Sequence, residues 1–168
     1  MKKLIVVLLI GILMTAFAAA AASASGTGLV IIPEEMPAEE QAQTAEFLKE
    51  NAAIRYFPED VQGQIAGMMA EGADVSSLQL FEMKNVVIRN AKDALGKNDA
   101  LSVIFTFEVA FDPNQTIIVL AGADGEWRIL DTQVLEYGSL ETVIPKDVLN
   151  ALDQAQEAKL VVLGTSIW

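Results

Sequence analysis

The sequence predicts an α+β domain: N-terminal helices packed on a curved antiparallel meander sheet, with a C-terminal helix and strand. Three observations carry that class. Two apolar stripes at helical spacing come early, each opened by a proline followed closely by acids. Leu101, Val103, Phe105, Phe107, Val109 and Phe111 then occupy every second position, which is the period of a strand with one buried face. Two clusters of turn formers, Asp112-Pro113-Asn114-Gln115 and Ala123-Asp124-Gly125-Glu126, divide the runs that follow.

In chain order, Met1-Lys2-Lys3 is a basic start, Leu4 to Leu13 an apolar run, and Ala22-Ser23-Ala24 a small-x-small site. This three-part pattern predicts a signal peptide over 1–24, cut after Ala24, and a periplasmic or secreted mature chain. An uncleaved anchor is the alternative, since the apolar stretch nearly reaches membrane-spanning length. The small residues at its end and the lack of flanking anchors weigh against it, so no membrane insertion is expected after cleavage. Residues 25–37 read as a linker whose Leu29-Val30-Ile31-Ile32 segment can add an edge strand. Residues 38–168 form a single domain, long enough to bury its own core.

Pro37 starts the first helix, with Glu39 and Glu40 where the helix dipole favours anions. Ala38, Ala42, Ala45 and Leu48 make its apolar stripe, and it ends near Asn51. Pro58 starts the second, with Val61, Ile65, Met68 and Met69 on one face and Gly72 at its end. The adjacent methionines suit either ordinary core or a soft ligand-binding lining.

Leu78 to Ile88 reads as a strand, 90–99 as a polar connection, and 100–111 as the long strand with an aromatic face. Residues 116–121 and 126–136 return in turn. Short connections make these last three strands neighbours in a meander. Pro145 starts a third helix with Val148, Leu149, Leu152 and Ala155 inward, and Lys159 to Leu163 is a final strand.

Composition restricts the chemistry. The 168 residues include 11 Lys and Arg, 23 Asp and Glu, and neither Cys nor His. Thiolate and imidazole catalysis, disulfides, and Cys- or His-ligated metals are excluded. A net charge of −12 argues against non-specific affinity for nucleic acid, because that affinity rests on Lys and Arg meeting phosphates, and no nucleic-acid partner is expected. Glu82, Glu108, Asp131 and Glu136 alternate with apolar residues and read as a solvated face. Asp112-x-Asn114-x-Thr116 has the opening of a calcium loop but lacks its glycine and distal glutamate. It reads as a turn. No catalytic residue, metal site or cofactor is assigned.

Two helices followed by a meander whose late strand reads Asp124-Gly125-Glu126-Trp127-Arg128-Ile129 resembles the NTF2-like (cystatin-like cone) superfamily, in its small exported bacterial members. The resemblance covers about Pro37 to Glu136, and the elements after Gly138 depart from it. It implies helices on the concave face of a curved sheet and a pocket at the wide end. Met68, Met69, Phe105, Phe107, Phe111 and Trp127 would then line or fill that pocket. The functional expectation is a non-enzymatic binding or adaptor domain of the bacterial cell envelope, with a protein partner. Its alternatives are a carrier of a small apolar ligand and a carboxylate-based hydrolase.

Overall fold

The computed structural model of the chain describes residues 28–69, 73–107, 111–112, 114–135 and 138–165. The signal segment, Gly72, Glu108, Val109 and Glu136 lie outside the described residues. The fold is α+β, as expected. Strand β1 (Val30–Glu34) leads to helix α1 (Ala38–Glu50), a 3-10 turn (Ala53–Tyr56) and helix α2 (Glu59–Met68). Then come β2 (Leu78–Arg89), the short helix α3 (Ala91–Leu95), β3 (Ala100–Thr106), β4 (Ile117–Ala123) and β5 (Glu126–Val134). Strand β6 (Ser139–Pro145), helix α4 (Lys146–Gln154) and strand β7 (Ala158–Thr165) complete the order.

One seven-stranded antiparallel sheet runs β1-β2-β7-β4-β5-β6-β3. The last strand is therefore central, between β2 and β4. Its sequence explains this: Leu160-Val161-Val162-Leu163 is apolar at every position, so both faces of β7 need cover. The sheet curls so that both of its edges reach one core. Ile31 of β1 and Leu101, Val103 and Phe105 of β3 share that inner core with the buried faces of α3 and α4. Phe81 on β2 meets Phe111 at 6.1 Å, and Phe111 meets Phe107 at 5.2 Å, joining the sheet's two sides. On the outer face the 3-10 turn and α2 bury Ile54, Phe57, Val61 and Ile65 against Leu120, Val161 and Leu163.

Phe81 is a bulge residue, because the β2–β7 register shifts between Leu80 and Glu82. The extra residue bends β2 and turns the Phe81 ring inward, where it packs against the inner core.

Three expectations change, and one strand appears that the sequence did not signal. The 100–106 strand does not neighbour the strand that follows it; β3 crosses to the far edge and, among the described residues, pairs only with β6, so the meander is β4-β5-β6. Residues 139–145 form a strand although Glu141 and Thr142 break the apolar run, because β6 lies between β3 and β5. The polar 90–99 connection contains α3, whose Ala91, Ala94 and Leu95 are buried. In α1 the alanine stripe is mostly outside: Ala38 and Ala42 are exposed and Thr44 is the buried residue.

Candidate functional site

The β4–β5 hairpin turns at Asp124-Gly125, both with positive φ (49° and 86°), as two-residue hairpin turns require. Pairing extends from Ala123/Glu126 to Val119/Leu130 and stops. Beyond it, β4 continues along β7 through Ile118/Leu163 and Ile117/Gly164, while β5 continues along β6 through Asp131/Val143 to Val134/Leu140. The sheet forks there. A groove of about 440 Å³ occupies the fork, lined by Gln115, Thr116, Ile117 and Ile118 on one side and Thr132, Gln133 and Val134 on the other. Met68, at the end of α2, adds a thioether that is 56% exposed.

Hydrogen bonds hold the walls. Gln115 Nε2 donates to the Thr165 carbonyl, and Thr165 N donates to Thr116 O at 3.0 Å, tying the start of β4 to the end of β7. Thr132 Oγ1 donates to Leu130 O at 3.2 Å and lies 3.2 Å from Thr142 Oγ1, which covers polar groups where the ladder has parted. The lining side chains are neutral and carry amide, hydroxyl, thioether or alkyl groups. That set can hydrogen-bond and pack against a neutral occupant, and its size falls within the range of ligand sites.

Of the six residues singled out from sequence, Met68 lines this groove. Met69 is buried in the outer core. Trp127 is on the outer face, 5.0 Å from Phe57 and 6.4 Å from Tyr56 by ring centroids. Phe105, Phe107 and Phe111 belong to the inner core. The sheet thus separates Trp127 and Met69 from the three phenylalanines, because neighbouring side chains of a strand leave on opposite faces. Thr132 and Gln133 carry no signal in the sequence, and Gln115 and Thr116 read only as part of a turn and the start of a strand. Neutral polar residues at strand ends are common, and only the pairing shows that these four face one another.

Charged clusters stand elsewhere. On the inner face Lys84, 8% exposed, pairs with Glu35 at 2.9 Å and lies 3.9 Å from Glu82. On the outer face Lys159 binds Glu40 and Glu157. Burial works against the Lys159 ammonium, yet hydrogen bonds to Glu157 and Glu40 outweigh it and hold the pKa above the usual lysine value. Asp112 Oδ1 accepts from Asn114 N at 2.8 Å, a turn-stabilising use of the carboxylate. Compared with protein-family models, with curated proteins and with solved structures, the chain finds no match.

Proposed function

We propose that the chain is an exported, non-enzymatic binding domain of a bacterial cell envelope, and that the fork between β4 and β5 is its contact site. The observation that supports this is the groove itself: a ligand-sized opening, walled by backbone-anchored strands and lined by neutral hydrogen-bonding side chains. Preformed walls lower the ordering cost of binding. The partner is an uncharged or weakly charged segment of another protein, whose amides match the Gln and Thr groups of the walls. The exposed Met68 supports a second reading, a small apolar ligand held at the same place, because thioethers adapt to varied shapes.

Native mass spectrometry of protein purified gently from the exported fraction tests both readings. A co-purifying polypeptide supports the first, and a discrete small mass supports the second. In either case Gln133→Trp, which fills the groove from an exposed wall position, abolishes the complex, and amide shifts map to 115–118 and 132–134. Binding that survives Gln133→Trp and shifts amides elsewhere overturns the assignment of the fork.

A further inference from the structure

Strand β3 is one edge of the sheet, and its backbone has a definite polarity toward that edge. Lys146 N donates to Asp99 O at 2.8 Å and Phe107 N to Gly138 O at 2.9 Å, one at each end of the β3–β6 ladder. Those bonds fix the odd-numbered residues as the ones whose N–H and C=O groups face β6, since such groups alternate along an antiparallel pair. Pro145 agrees: with no N–H it sits opposite Ala100, at a position that needs none. Ala100, Ser102, Ile104 and Thr106 therefore point their backbone groups outward, and among the described residues no backbone partner meets them.

The two edges of the sheet differ in protection. Strand β1 carries Pro33 and Glu34, a proline and a charge of the kind that discourage edge pairing. Strand β3, Ala-Leu-Ser-Val-Ile-Phe-Thr, carries neither proline nor charge, and the large side chain of Ile104 is 39% exposed. A chain of net charge −12 thus has an uncharged seven-residue edge.

We infer that two copies of the chain pair antiparallel through β3, about a twofold axis at Val103. This register brings Ser102 opposite Ile104 and Ala100 opposite Thr106, so every outward N–H and C=O finds a partner in the other copy. On the outer face it sets the small Ser102 against the larger, exposed Ile104. No carboxylate within the paired strands faces another. A second copy fits better than an unrelated strand because this edge is self-complementary, as isologous interfaces must be. Repulsion between the acidic bodies is long-range and screened within about 8 Å at physiological salt. Added salt therefore strengthens the association.

The absence of cysteine makes a direct test possible. The axis places the two Val103 residues face to face as a non-hydrogen-bonded pair, about 4.5 Å apart at Cα, within the reach of a disulfide. The two Ile104 residues are each displaced from the axis in opposite directions, leaving their Cα atoms about 8 Å apart, beyond that reach. Under mild oxidation Val103→Cys forms a covalent dimer and Ile104→Cys does not. In the unaltered protein, sedimentation shows a dimer that Ile104→Lys dissociates without changing circular dichroism. Raising the concentration slows amide exchange at Ser102 and Ile104, with no matching change at Val103. A monomer persisting to about 1 mM, the weak end of specific association, overturns the proposal. So do a dimer indifferent to Ile104→Lys and cross-linking as efficient at 104 as at 103.

Discussion

The indole of Trp127 lies directly over Gly122, its cross-strand partner in the β4–β5 hairpin. A Cβ on Gly122 would stand 2.7 Å from Trp127 Cζ3 and 2.9 Å from Cε3 and Cη2, closer than real Cβ contacts allow. The missing side chain is what lets the ring descend onto the outer face and reach Phe57 and Tyr56. Gly122→Ala must lift the ring, and an overpacking cost of about 1–3 kcal/mol is expected. A urea titration followed by circular dichroism should show a lower midpoint with an unchanged slope.

The inner face repeats the arrangement at Gly164, where an added Cβ would fall 2.2 Å from Phe81 Cε2 and 2.8 Å from Ile117 Cδ1. Gly164→Ala is destabilising by about 2 kcal/mol or more on the same grounds. Combined with Phe81→Ala, which removes the ring, its cost should shrink. A double-mutant cycle is expected to return a coupling of about 1 kcal/mol or more, and simple additivity would show that the bulge does not seat Phe81 on Gly164.

Asp124 joins two parts of the chain. Its Oδ1 accepts from Gln156 N at 3.0 Å and Glu157 N at 2.9 Å, and its own N–H donates to Glu157 O at 2.9 Å. The hairpin turn thereby holds the α4–β7 connection. Asp124 also has φ of 49°, which Asp and Asn tolerate better than most residues. Asp124→Ala should cost about 2 kcal/mol, from lost charge-assisted hydrogen bonds and backbone strain. Asp124→Asn keeps both the acceptor and the turn and should cost under about 0.5 kcal/mol. Thermal melts of the pair measure the difference.

Lys159 makes stability depend on pH in the alkaline range. Its folded pKa lies above the ordinary value of 10.5, held there by Glu157 and Glu40 against the effect of burial. A raised folded pKa means the contribution is fully present below about pH 10.5 and is lost as pH rises through the folded value. Urea titrations of the wild type should therefore show an alkaline loss of stability that is smaller in Lys159→Met. Equal losses in the two proteins would remove Lys159 as the cause.

Much of the fold was legible because its signals are local. Pro37, Pro58 and Pro145 stand immediately before α1, α2 and α4, since proline costs nothing where a helix N–H has no partner. The alternation of Leu101, Val103 and Phe105 marked β3 and its buried face, and Asp124-Gly125 marked the hairpin. Strand β6 escaped because its inward residues include Thr142, which is fully buried beside Thr132. Helix α3 escaped because five residues are too few to display a period. Met68 was legible as part of a helical stripe, but its place at the groove depends on where α2 ends against the fork.

The sequence by itself determined the helices and strands other than α3 and β6, where most turns fall, the acidic and cysteine-free chemistry, and the α+β class. These follow from periodicity, turn residues and composition, each readable within a few residues. Only the tertiary structure decided that β7 enters the middle of the sheet, that β3 crosses to an edge, and that β4 and β5 part at Val119/Leu130. Strand order rests on pairing between distant segments, and alternation is the same whichever neighbour a strand takes. The groove and the unprotected edge are products of that pairing.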